Sequence, residues 1–422
     1  MTFHITLVRA MEILDSRSRP TLSVTVGLPG GFSAHAAVPS GASTGSQEAV
    51  ELRDNDPTRY HGAGVRRAIG HVNGEIADAL RGRDFADQAD LDRTLTTLDG
   101  TPNASRLGAN ALVGVSVATA RAAAAQAGTP LWQYLSTDDA PPLLPVPHFN
   151  IVNGGAHAPN PLEFQEFMVA PLGARTVAEA LRAGSEIYTC LRHRLTVCGH
   201  STALGDEGGF APDVTEPEYA LRLLVRAITD AGYPTGPHGV AIALDPAANA
   251  FRQSEGVYRV NGQTLTSSDM IARYRQMIDD FPIWSIEDGL AEDDRTGWAE
   301  LTRTLGSRIQ LIGDDIFVTN PTLIAQAVDD HIANAALIKP NQIGTVTETL
   351  RAITVCQRAG YAAMISHRSG ETDDTFIADL AVGSGCGQIK SGAPARGERV
   401  AKYNRLLEIE YRHTELPYGL GR

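Results

Sequence analysis

Residues 334–344 read "NAALIKPNQIG", an apolar run that ends on Lys339 and is followed at once by Pro340 and Asn341. A run this short and this apolar suits a strand buried on both faces, and a charged ammonium at its end is costly unless something there needs it. Short apolar runs that close on a polar cluster recur on both sides of it: "LEFQEFMVAP", "TALGDEGGFAP", "GVAIALDPAANAF", "IWSIEDGL", "IQLIGDDIFV", "AAMISHRSGE" and "GQIKSGAPA", with helical segments in between. From Asp245 to Lys390 the polar ends follow one another at roughly 25 to 40 residues, close to what one strand and one helix of a (β/α)₈ barrel require. The pattern predicts such a barrel, whose site lies at the C-terminal ends of the strands, where these side chains fall.

The first part of the chain reads differently. Alternation in "FHITLV" and "TLSVTVGL", with "GLPGG" at 27–31 between runs, predicts antiparallel strands and a turn. From about residue 59 to 128 Ala- and Leu-rich segments follow, so this block predicts an α+β domain. "STDDAPPLLPVP" at 136–147 reads as the boundary. The longest apolar stretch, 109–128, is interrupted by Asn110 and Arg121 and closed by Gly128, so it predicts a buried helix and not a membrane span. The start lacks a basic segment followed by a long apolar one, the mark of a signal peptide.

Of 422 residues 43% are hydrophobic and 20% charged, which suits a folded chain with a large core. The formal net charge of −13 speaks against nucleic acid or an anionic membrane as partner. An anionic substrate therefore needs a local basic pocket. Four cysteines without a C-x-x-C pair suggest neither a disulfide framework nor a zinc site, and fit a reducing compartment.

Three carboxylates stand at successive predicted strand ends: Asp245, Glu287 and Asp314. One acid after a strand is more often a helix cap. Three converging on one mouth repel unless a cation sits among them, and an all-oxygen set suits Mg²⁺. Lys339 comes one strand later, and burial beside a divalent cation is expected to lower its pKa so that it acts as a base. His367, Arg368 and Ser369 follow, then Lys390, supplying the groups that bind a phosphate and a carboxylate. Glu207, on a Gly-rich turn after a short strand, is placed to face the lysine as an acid. "PSGASTGSQEAVELRD" at 39–54, with Ser43, reads as a mobile lid, and "NGGAHA" puts His157 on a second Gly-rich loop.

Taken together, "LDSR", "PSGASTG", "ELRD", "NGGAHA", "QEFM", "GDEGG", "SIEDGL", "GDD", "IKPNQIG", "SHRSGET", "GQIK", "GAPAR" and "RVAKYN", in this order over nearly the whole chain, resemble the enolase family of phosphopyruvate hydratases. The resemblance implies an α/β fold, with a C-terminal (β/α)₈-type barrel over residues 135–422 and a smaller α+β lid domain over 1–134. Early barrel strands are then expected to depart from parallel order. The implied activity is Mg²⁺-dependent dehydration of 2-phosphoglycerate to phosphoenolpyruvate in glycolysis, by a cytoplasmic hydro-lyase. By the same resemblance Lys339 is the base at carbon 2 and Glu207 the acid at the departing hydroxyl. Asp245, Glu287 and Asp314 hold a first Mg²⁺, and Ser43 helps hold a second with the substrate. Arg368 and Ser369 bind phosphate and Lys390 the carboxylate, while His157, Gln165, Glu166 and His367 line the pocket.

Some positions depart from the family. Residues 14–26 read "LDSRSRPTLSVTV" where the family reads "LDSRGNPTVEVEV", a region that in the family takes part in subunit contacts, so the implied homo-oligomer is expected to differ there. "HAPNPLEFQEF" replaces the family's "HADNNVDIQEF" beside the pocket. An enolase-like carboxyphosphonoenolpyruvate synthase, acting on a phosphonoformyl analogue, is the alternative reading, and a non-catalytic binding protein a third.

Overall fold

The structure, a computed structural model, describes residues 2–42 and 45–420. It begins with a three-stranded antiparallel sheet, β1 (Leu7–Leu14), β2 (Pro20–Gly27) and β3 (Ser33–Ala37). The register runs from Leu7 opposite Gly27 to Leu14 opposite Pro20. Alternation turns Val8, Ala10, Leu22, Val24 and Val26 inward. After short helical segments at Arg66–His71 and Ala77–Leu80 come two longer helices, α1 (Gln88–Asp99), capped by the Asp87 side chain, and α2 (Ala109–Gln126). Every residue of α2 from Ala109 to Ala120 is buried, because the helix packs on the sheet with one face and on barrel elements with the other. A helix enclosed in this way has no use for an amphipathic stripe, which is why its sequence is apolar all round.

The barrel follows: β4 (Val146–Asn153), β5 (Glu166–Ala170), α3 (Val177–Val197), α4 (Pro217–Asp230), β6 (Ala241–Asp245), α5 (Ser267–Asp280), β7 (Ile283–Glu287), α6 (Arg295–Leu305), β8 (Gln310–Gly313), α7 (Pro321–Asp329), β9 (Ala335–Ile338), α8 (Val346–Ala359), β10 (Ala362–Ser366), α9 (Phe376–Gly383), β11 (Gln388–Lys390) and α10 (Gly397–Arg412). The strands close in sequence order, β11 pairing with β4. Pairing is parallel except at β5, which is antiparallel to both β4 and β6. A parallel return needs a crossover, usually helical. The segment between β4 and β5 holds a single 3₁₀ turn, Gly155–His157, so the chain comes straight back.

One expected strand is absent from the barrel. "TALGDEGGFAP" is a loop, tied down by isolated bridges of Phe210 to Val152 and Leu204. The strand in its place is β4, which periodicity did not reveal because His148, Asn150 and Asn153 are polar yet fully buried.

The two parts are locked together away from the barrel mouth. Asp92 of α1 accepts from Ser116 Oγ of α2 and from Thr347 Oγ1 of α8, each at 2.6 Å. Arg121 of α2 grips Asp374 with both amino groups, at 2.6 and 2.7 Å.

Candidate active site

The parallel strands deliver Asp245, Glu287, Asp314, Lys339, His367 and Lys390 to one end of the barrel, each as the last residue of its strand or the next one. Reversal of β5 brings its first residue to the same end, so Glu166 lies in register with Asp245 on one side and Asn153 on the other. A small pocket there is lined by His157, Gln165, Glu166, Glu207, Asp245, Asp314, Lys339, Ser366, His367, Arg368, Ser369 and Lys390. Glu287 is fully buried directly against Lys390. Ser43, expected on the lid, lies outside the described residues.

Carboxylates dominate one wall. Lys390 Nζ lies 2.7 Å from Glu287, 3.3 Å from Glu166 and 3.5 Å from Asp245. Burial works against its ammonium, but these carboxylates prevail and push its pKa up. Burial raises Asp245 to about 7, with Glu166 and Asp314 adding to burial and Lys390 opposing it. Glu287 is driven up further, by burial and then by Asp245. One oxygen of Glu287 and one of Glu166 are buried without a hydrogen-bond partner. Crowded, oxygen-only, underprotonated in water yet driven to hold protons here, this set fits a divalent cation. The set is wider than a tight cage. Among the described residues, the acid-containing trios whose ligand atoms lie within 4.8 Å of one another are His157, Glu166, Glu207 and Asp288, Asp314, Asp315.

The state of Lys339 depends on the acid beside it. Burial, Arg368 and Lys390 all favour its free amine, yet its ion pair with Asp314 outweighs them and raises its pKa. Asp314 also accepts from Gln342 Nε2 at 2.9 Å. The lysine is therefore basic only to the extent that Asp314 is engaged elsewhere.

The opposite wall is built from imidazoles and an arginine. Glu207 accepts from Asn150 Nδ2 at 2.8 Å and lies 3.6 Å from His157 Nδ1 and 3.4 Å from His367 Nε2. The turn that presents it needs Gly208 at φ +85, where a Cβ would meet the Ala395 carbonyl at 3.1 Å. Burial works against the Glu207 charge, but His157, His367 and Arg399 hold its pKa well below the ordinary range. Glu166 is pushed the other way, by burial and then by Glu207. The two buried carboxyls are thus driven in opposite directions.

The N-terminal part of the chain reaches the pocket through Glu48, whose Oε2 accepts from Arg368 Nη1 at 3.0 Å and whose Oε1 accepts from Gln342 Nε2 at 3.1 Å. Gly41 packs so closely on the Arg368 guanidinium that no Cβ fits. The "LDSR" stretch holds the base of this loop: Arg17 Nη2 donates to the Gly41 carbonyl at 2.8 Å, and Ser40 Oγ to Asp15 at 2.6 Å. Sequence reasoning missed Glu48, Asn150, Gln342 and Arg399. Only Arg399 left a signal, a basic residue on the stripe Arg399, Lys402, Tyr403, Leu406, Ile409 that α10 buries.

The family model described as "Enolase, N-terminal domain" matches residues 5–135, and that described as "Enolase, C-terminal TIM barrel domain" matches residues 141–418. A protein of Rubrobacter xylanophilus named enolase is 54% identical over 408 residues, which cover 96% of this chain and 94% of that protein. No helix among the described residues is long and apolar enough to cross a membrane.

Proposed function

Because the chain belongs to the enolase family and is a hydro-lyase of that type, we propose that it dehydrates 2-phosphoglycerate to phosphoenolpyruvate with two Mg²⁺ ions, as a cytoplasmic enzyme of glycolysis. Residues 1–134 then carry the lid and residues 135–422 the catalytic barrel. The observation that carries the reading is one pocket holding Lys339 and Glu207 on different walls. Lys339 follows β9, and Glu207 is bound to Asn150 of β4, three places further round the ring.

Asp245, Glu287 and Asp314 would hold the first cation and Ser43 would join the second. A bound divalent cation supplies positive charge that stabilises the extra negative charge on a substrate carboxylate once the neighbouring proton is removed. With Asp314 so committed, Lys339 keeps only burial, Arg368 and Lys390 as its main influences, all favouring the free amine that takes the carbon 2 proton. Arg368 and Ser369 bind the phosphate, and Lys390, released from Glu287, the substrate carboxylate. Gln165, His157 and His367 pack around the reacting carbons. The Glu166–Glu207 pair brings the proton that leaves with the carbon 3 hydroxyl, Glu207 delivering it.

The departures near the pocket do not alter its lining. Leu162 and Phe164 are buried in the core, and Glu163 accepts from the Asn261 backbone at 2.6 Å, turned to the small sheet beyond β6. This supports the phosphate substrate over a phosphonoformyl one. The test is to supply Mg²⁺ and 2-phosphoglycerate and to follow enolpyruvate absorbance in the ultraviolet. Rapid turnover is expected; feeble turnover together with rapid conversion of the phosphonoformyl analogue would overturn the assignment.

A further inference from the structure

Arg399, near the start of α10, is fully buried; its Nε lies 3.6 Å from Glu398 Oε1, and its two amino groups turn elsewhere. Its Nη1 lies 2.5 Å from His367 Nδ1 and 2.6 Å from the Arg368 carbonyl oxygen. Its Nη2 donates to the carbonyls of Ser369 at 2.7 Å and Asp206 at 3.1 Å. Two buried amino groups spent on three carbonyls and one ring nitrogen call for an explanation beyond that one ion pair.

A guanidinium has only donors and does not lose its proton in proteins. His367 Nδ1 must therefore present a lone pair, since a proton there would set two donors against each other. Burial moves the imidazole pKa down to about 4, so near neutral pH the ring is neutral and carries a single proton. That proton sits on Nε2. Nε2 is buried, belongs to a residue that lines the pocket, and faces Glu207 Oε2 at 3.4 Å. The same guanidinium holds the carbonyl of Asp206, next to Glu207, so it also fixes the gap between this donor and that carboxylate.

We propose that Arg399 is a positioning residue that locks His367 into the Nε2–H tautomer and so makes it an obligate hydrogen-bond donor into the pocket. Its use in catalysis rests on the proposed dehydration: the Nε2–H meets the oxygen that departs from carbon 3, and the ring cannot serve as a base there. Arg399 itself touches no substrate. The proposal predicts that hydroxyl departure depends on Arg399 more than carbon 2 proton removal does.

The first test needs no substrate. Full-length protein labelled with ¹⁵N-histidine is measured by long-range proton–nitrogen correlation at neutral pH, with His367 assigned by its loss in His367→Gln. A protonated Nε2 and a bare Nδ1 are expected; a proton on Nδ1 overturns the proposal whatever reaction the protein catalyses. The second test compares solvent exchange of the carbon 2 proton with dehydration in Arg399→Lys. Dehydration is expected to fall about 100-fold while exchange stays near the native rate; parallel loss of both would show a scaffold for the loop and nothing more. Should that variant fail to fold, His367→Gln, whose amide reaches the Nε2 position, is expected to keep more dehydration than His367→Asn, whose amide reaches Nδ1. The reverse order overturns the assignment.

Discussion

Two walls of one pocket treat the same functional group in opposite ways. On the wall formed by β6 and β7, Asp245 and Glu287 are packed among other acids and pushed up towards protonation. On the wall formed by β4 and the 204–210 loop, Glu207 is equally buried yet held ionised by Asn150, two imidazoles and Arg399. Burial is common to both, so the neighbours decide. The acid wall suits a group that brings positive charge from outside, and the imidazole wall suits proton traffic. Lys339 and Lys390 stand at the first wall as ammonium groups paired to its carboxylates.

The largest expected effect comes from removing the proposed base, Lys339, on the acid wall. Lys339→Ala should lower turnover by about 10⁴-fold and abolish carbon 2 proton exchange, followed by loss of deuterium label to solvent. Surviving exchange would move the base elsewhere and break the division of labour between the walls. Next comes the imidazole wall. Glu207→Gln should cost about 10² to 10³ in dehydration with exchange preserved, and Glu166→Gln should cost less, since Gln copies the neutral form Glu166 already favours. Equal losses would mean that the proton is not held on the Glu166 side.

How much of this was legible beforehand follows from the physics of each position. Lys339, Asp245, Glu287 and Asp314 announced themselves because each breaks an apolar run at a strand end, an arrangement that solubility alone does not explain. β4 stayed hidden because its inward face is polar: His148 meets Trp284 Nε1 at 3.1 Å and Asn150 meets Glu207, so hydrophobic periodicity vanishes where the barrel interior serves the site. The reversal of β5 was unreadable from pattern, because a strand buried on both faces reads the same in either direction. Its consequence, Glu166 at the mouth, came only through family resemblance. The ion pair that raises the Lys339 pKa was not legible, because Asp314 lies 25 residues earlier in the chain on the end of a different strand. Glu48 was invisible for a simpler reason: its partners Gln342 and Arg368 lie 294 and 320 residues away, and no local spacing encodes that.

Glu48 tests whether the lid belongs to the chemistry or only covers it. It places a second anion on Arg368, the phosphate-binding candidate, and shares Gln342 with Asp314. Glu48→Gln keeps the shape and removes the charge. Loss of this charge-assisted pair should raise KM for the substrate about tenfold while kcat changes little. A fall in kcat at unchanged KM would instead join Glu48 to the proton-transfer wall and blur the comparison.

The smallest effect on activity is expected at a second arginine–carboxylate pair across the same two parts of the chain. Arg121 and Asp374 match Arg368 and Glu48 in chemistry, with Arg121 the more exposed of the two arginines, and neither lines the catalytic pocket. Burial opposes the Asp374 charge, and Arg121 and two backbone amides overcome it, so its pKa lies below the usual 3.8. A depressed carboxyl pKa contributes stability that is complete above the unfolded value and is lost as pH falls through the folded one. Arg121→Lys keeps the charge and gives up the fork, and should cost about 1–3 kcal/mol in urea denaturation at pH 7 with turnover unchanged. The gap between native and variant stability should close as pH drops below 3.8, where Asp374 protonates in both. A constant gap would mean that Arg121 stabilises through its packed stem and not through the carboxylate. Altered turnover would show that the pair holding the two parts together also sets the position of the lid.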